Sequence, residues 1–186
     1  MVDESEPPPE RLRVVLVLAD VKSYSVAMER DETGTWRRVR RALGLFLKLV
    51  ETYDGHVVDE AGDAILARFG DAEQALRFAV EVQRELRGES VWSGEAGPLE
   101  FRIGMHCGEI LVQQGRTFGH AINLTQRIES MAPVGGICLS ETVRAELPLD
   151  PGVRLRSLGR PALKNIAERL ELFAVEAEGL VLPPTA

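Results

Sequence analysis

Two carboxylates stand where a buried chain has little structural use for them. Asp20 closes the apolar run Arg13-Val-Val-Leu-Val-Leu-Ala19, and Asp63 sits in the turn Ala61-Gly62-Asp63-Ala64 between two strand-like segments. A carboxylate on a strand tip and another in a nearby turn, aimed at one point, make an oxygen cage suited to Mg²⁺ or Mn²⁺ on a triphosphate. Each also has a plainer reading, Asp20 as a helix N-cap and Asp63 as a residue favoured at a bend. His56, His106 and His120 share no ligand spacing, which points to core or surface roles. Cys107 and Cys138 lie in apolar, strand-like stretches and read as reduced core residues, so no thiolate cluster is expected.

The elements that must position these groups follow from hydrophobic period. Residues 13–19 form a continuous apolar run, the pattern of a central strand buried on both faces. Val39, Leu43, Phe46, Leu47 and Val50 predict an amphipathic helix over 34–53, with Gly55 as its terminator. His56–Glu60 and Ala64–Phe69 flank the Gly62-Asp63 hairpin signal. A second helix is expected over 73–86, then a polar loop over 88–98. Leu99–Cys107 and Glu109–Gln113 read as a strand pair around Gly108, and Ala121–Met131 as a helix ahead of the Pro133–Gly136 turn. Strands at 137–139, 153–158 and 170–175 complete a mostly antiparallel sheet with helices packed on it. Trp36 and Phe46 read as core or dimer contacts.

Five stretches recur in a meaningful order: Leu18-Ala-Asp20-Val-Lys-Ser-Tyr-Ser25, Val57-Val-Asp-Glu-Ala-Gly-Asp63, Arg102-Ile-Gly-Met-His-Cys-Gly-Glu109, Phe118-Gly-His-Ala-Ile-Asn-Leu-Thr-Gln-Arg-Ile-Glu129 and Leu163-Lys-Asn-Ile166. From about Arg13 to Val175 the chain resembles the catalytic domain of class III adenylate and guanylate cyclases. The resemblance implies an α+β fold with a ferredoxin-like β-α-β-β-α-β core and additional strands. It implies a homodimer with sites at the interface, and two ions, Mn²⁺ or Mg²⁺, at each. Asp20 and Asp63 match the metal-binding aspartates. Asn123 matches the ribose-orienting asparagine, Arg127 the arginine four residues on, and Lys164 the lysine that meets the terminal phosphates. A nucleoside triphosphate would become a 3′,5′-cyclic nucleotide and pyrophosphate.

Elementary chemistry agrees with these roles. Asn123 and Arg127 are one helical turn apart and share a face. An arginine there could stabilise charge on the α-phosphate and the leaving pyrophosphate. Backbone N–H groups of Val21–Ser25 could cradle phosphate oxygens, with Tyr24 packed beneath. The plainer readings are Asn123 as a cap, Arg127 as a solvated charge paired with Glu129 or Glu109, and Lys164 as surface.

The chain departs from the family at the positions that read the base. Adenylate cyclases usually carry lysine and aspartate where counting without gaps gives Asp59 and Arg116. Guanylate cyclases commonly have glutamate and cysteine. Ionised Asp59 only accepts hydrogen bonds and Arg116 only donates. That pair suits an N–H beside a carbonyl, as on uracil or guanine, and fits adenine or cytosine poorly. The length of Arg116 favours the smaller pyrimidine, so UTP is the expected substrate and cyclic UMP the product. The alternatives are guanylate or adenylate cyclase, or a silent nucleotide-binding dimer. A mutual Asp59–Arg116 salt bridge is the plainer reading of the pair. Lys22 and Ser23 also depart, standing where the family often has a small apolar residue and a glycine; Ser23 costs little unless the loop needs a positive φ.

Size and charge bound the rest. A chain of 186 residues, 45% hydrophobic, suits one domain over 12–176, with tails at 1–11 and 177–186. A formal charge of -7 argues against a broad nucleic-acid surface. The N-terminus lacks a signal-peptide pattern and no apolar stretch reaches membrane-spanning length, so a cytoplasmic, membrane-free protein is expected. The layout is similar to stand-alone bacterial pyrimidine cyclases that make antiphage signals.

Overall fold

The computed structural model describes residues 8–88, 92 and 97–181. The expected loop at 88–98 lies largely outside the described residues, as do 1–7 and 182–186 of the expected tails. The chain runs β1 (Glu10–Val21), α1 (Tyr24–Arg30), α2 (Glu32–Thr52), β2 (Gly55–Ala61), β3 (Ala64–Phe69), α3 (Ala72–Arg87) and β4 (Phe101–Gln113). It continues through β5 (Arg116–Phe118), α4 (His120–Met131), β6 (Ile137–Ser140), α5 (Glu141–Glu146), β7 (Arg154–Ser157) and β8 (Leu172–Glu176).

The sheet order is β2-β3-β1-β4-β6-β8-β7, with β5 paired to β4. Its first four strands are antiparallel, in the order that a split β-α-β arrangement produces. Only β4 and β6 run parallel among the described pairs. Val15, Val17, Ala19 and Val21 of β1 enter the large core with Val39, Leu43 and Phe46 of α2 and Leu76 and Phe78 of α3. Val14, Leu16 and Leu18 pack on the other side with Ala121 of α4. Helices therefore cover both faces of β1, which is why its sequence is an unbroken apolar run instead of an alternating one. Both cysteines are free and buried.

Several expectations change. Gly108 does not turn the chain: β4 continues through it to Gln113. A Cβ there would lie 2.8 Å from that of Ala121, so the glycine admits α4. The reversal comes at Gln114 and Gly115, both with positive φ, and the short β5 follows. Gly55 does not carry the left-handed turn after α2 either. Asp54 does, at φ 56, while a Cβ on Gly55 would strike the Phe69 ring at 2.4 Å. Phe46 is core, but Trp36 is 57% exposed. β1 takes in Glu10 and Arg11 of the expected tail, and Leu180 beyond β8 is buried.

Candidate active site

Strand alternation carries Leu12, Val14, Leu16 and Leu18 to the α4 side of β1, and Asp20 is next in that row, half-buried. β1 and β3 remain paired up to Ala19 and Ile65, so the turn before β3 arrives beside the tip of β1. Gly62 takes φ 65 in that turn, a conformation that favours glycine. Asp63 is thereby brought against Asp20. Burial, and then the Asp20 carboxyl beside it, push the Asp63 pKa up to about 6. The Val21 N–H and Asp63's own N–H favour its charged form.

A close pair of carboxylates with no sulfur or nitrogen donor fits a hard cation such as Mg²⁺ or Mn²⁺. Among the described residues no group of three or more His, Cys, Asp and Glu is placed to hold a metal ion by itself. Remaining ligands would be substrate and water, as is usual for Mg²⁺ on a triphosphate.

Two charged residues that fall within the family-like stretches but had no expected part in the site, Arg102 and Glu129, lie behind this pair. Arg102 of β4 is directly opposite Asp20 in the antiparallel register. Its Nε is buried with no hydrogen-bond partner. Glu129 of α4 is only 8% exposed. It gets there because β4 has Gly104 beneath it, where a Cβ would lie 2.3 Å from the Glu129 backbone nitrogen. Burial, then the nearby Asp20, raise the Glu129 pKa to about 7, while Arg102, Ser130 and Lys22 pull the other way. Arg102 sits in an apolar strand and Glu129 in a polar-looking helix, so only the approach of α4 to β4 reveals them. Among the described residues Glu129 forms no ion pair with Arg127, and Glu109 pairs with Arg11 at 3.5 Å.

Asp59 and Arg116 share one groove of about 360 Å³, together with Val58, Leu66, Phe118 and Ile122. A register shift between Val57 and Asp59 re-aims β2 just before the acid. The side chains of Asp59 and Arg116 form no ion pair among the described residues. The expected alternative of a mutual salt bridge is therefore not realised.

Asn123 is no cap: Gly119 occupies the N-cap of α4 and Asn123 lies inside the first turn. Asn123 is exposed and Arg127 partly so, on the face of α4 away from its buried residues Leu124, Ile128 and Glu129. Lys164 is exposed in a turn closed by Ile166 N–H donating to the Leu163 carbonyl. None of the three makes a side-chain hydrogen bond or ion pair with a described residue. One chain therefore assembles a carboxylate group and a separate groove, and leaves these three facing outward.

The backbone cradle is smaller than expected. Val21 N–H serves Asp63 and Lys22 N–H donates to the Glu100 carbonyl at 2.8 Å. The Val21 side chain is core, with Tyr24 packed partly buried against it. Ser23 does take a positive φ, 61°.

Known proteins resemble this chain in sequence and in fold. A family model described as the adenylate and guanylate cyclase catalytic domain matches residues 9–177. An adenylate cyclase of Streptomyces coelicolor is 30% identical over 99 residues, which are 53% of this chain and 24% of that protein. A Rhizobium meliloti protein provisionally named adenylate cyclase 3 is 28% identical over 171 residues. The chain spans only 28% of its length. A crystal structure of an adenylate/guanylate cyclase/hydrolase from Silicibacter pomeroyi matches with TM-score 0.79 at 29% identity, covering 91% of this chain and 99% of that one.

Proposed function

The chain belongs to the adenylate and guanylate cyclase catalytic domain family, and from that premise we propose that it converts a ribonucleoside triphosphate to a 3′,5′-cyclic nucleotide and pyrophosphate. The carrying observation is the Asp20–Asp63 carboxylate pair at the β1 tip. Asp20 and Asp63 would hold Mg²⁺ or Mn²⁺, which when bound would supply a lowered pKa for the ribose 3′-hydroxyl and positive charge against the triphosphate. Arg102, opposite Asp20, offers the same triphosphate a cation from within the protomer.

Asn123, Arg127 and Lys164 act on the substrate held by a second copy. Their outward, unpaired side chains support this reading, because one protomer's metal pair is left to be met by the other's helix. Asn123 orients the ribose, Arg127 stabilises charge gathering on the α-phosphate, and Lys164 binds the terminal phosphates. The two copies form a homodimer with sites at the interface.

For the base, the Asp59–Arg116 groove supports uracil. Asp59 accepts from N3–H and Arg116 donates to O4. The absence of an ion pair between them leaves both free for that edge. The length of Arg116, which lines this groove, favours the smaller pyrimidine over guanine. UTP would thus give cyclic UMP, a signalling molecule suited to an antiviral response. Incubating the chain with each of the four triphosphates and Mn²⁺, then identifying products by mass, tests this. No cyclic product from any of them would eliminate the enzymatic reading and leave a nucleotide-binding dimer. Dominant cyclic AMP would reject the hydrogen-bond argument for the base.

A further inference from the structure

The geometry points to Glu129 as a positioning residue that holds the Arg102 guanidinium beside the metal carboxylates. This rests on the reading of Asp20 and Asp63 as the metal pair. Asp20 and Arg102 are opposite residues of β1 and β4, and Leu18 opposite Gly104 is the next pair on the same face. Gly104 is where α4 touches the sheet, with the Glu129 backbone directly over it. A larger residue at 104 would lift the helix and withdraw the carboxylate. Backbone packing thus fixes Glu129 along the same face as Arg102, near enough for the two charges to act on each other, although among the described residues they form neither a hydrogen bond nor an ion pair.

The charges explain why such a residue would be useful. A buried Nε–H without an acceptor is costly, and Arg102 has one. On that face the acidic acceptors are Asp20 and Glu129. Once Asp20 is committed to a cation, only Glu129 remains to steady the guanidinium. An arginine can bond a carboxylate along one edge of its planar fork and present the other edge to phosphate. Held from behind by Glu129, Arg102 would keep its outer N–H groups toward the triphosphate.

A double-mutant cycle on the full chain tests this, with inorganic tripolyphosphate and Mn²⁺ as the probe in calorimetric titrations. Residues acting as a unit are non-additive. Glu129→Gln should weaken binding about tenfold in the unaltered background and less than about twofold in Arg102→Ala. Equal losses in both backgrounds, or no loss in the first, overturn the inference. Glu129→Asp, which keeps the charge at a shorter reach, supplies the same cycle with the same two outcomes should Glu129→Gln not fold. The probe has neither ribose nor base, so coupling is read whether or not nucleotide turns over. Coupling without any cyclic product would sink the proposed activity alone; cyclic product without coupling would sink only the role of Glu129.

Discussion

Asp20 and Asp63 lie close enough that the first carboxyl raises the proton affinity of the second. They come from segments 43 positions apart in the chain, the β1 tip and the β2–β3 turn. Replacing Asp63 with Ala should lower turnover by roughly a thousandfold or more, since the cation supplies several kcal/mol of transition-state stabilisation. Sedimentation should show that the proposed dimer forms as readily in the variant as in the unaltered chain. Undiminished cyclic-nucleotide formation would refute its metal role.

The same pair should make the proposed metal binding pH-dependent. Cation binding needs both carboxylates ionised, so Mn²⁺ affinity should fall as pH drops through about 6, the raised pKa of Asp63. Without metal the sign for stability is reversed. Asp63 and Glu129, at about 6 and 7, hold protons more tightly folded than unfolded. Their contribution is full below about pH 4 and is lost as pH rises through 6 to 7. Thermal scans with chelator at pH 5 and 8, repeated on Asp63→Asn, should show that slope shrink in the variant.

His106 should act in the opposite sense. Its Nδ1 lies 3.0 Å from Ser140 Oγ and 3.3 Å from Thr142 Oγ1 in a buried polar knot. Burial, with smaller pushes from His120 and Arg13, lowers its pKa to about 4. The folded chain favours the neutral ring, so this stabilisation is complete above about pH 6.5 and disappears as pH falls toward 4. The loss should be on the order of 2–3 kcal/mol. Urea titrations at pH 7 and 4 should show it, and His106→Asn should reduce the difference between them.

Reversing the groove's polarity should move specificity. In Asp59→Lys/Arg116→Asp the donor and acceptor positions match adenine. Cyclic AMP should rise against cyclic UMP by about a hundredfold or more, given the penalty for mispaired polar groups. An unchanged product ratio from a mixture of triphosphates would show that these side chains do not read the base.

Ser23 carries a left-handed backbone, φ 61°, at the entry to α1. Such a conformation costs a non-glycine residue about 1 kcal/mol or more. Ser23→Gly should therefore raise the melting temperature by about 2–4 °C, measured by calorimetry. A fall would mean that glycine's added unfolded-state freedom outweighs the relief.

Much of this protein is written locally. The apolar run ending at Asp20, the Gly62-Asp63 turn and the four-residue step from Asn123 to Arg127 are all short-range patterns, set by side-chain period and turn chemistry. The succession of the first strands and helices along the chain follows from them. Gly55 and Gly108 were misleading for a corresponding reason. A glycine that bends the chain and one that admits a distant ring or helix look alike in sequence, and only the partners Phe69 and Ala121 tell them apart. Tertiary structure alone decided that Glu129 is buried behind Asp20, that Arg102 stands opposite it, and that Asp59 and Arg116 share a groove without pairing. Those relationships join residues on separate strands and helices, so register and close packing create them where no local periodicity could.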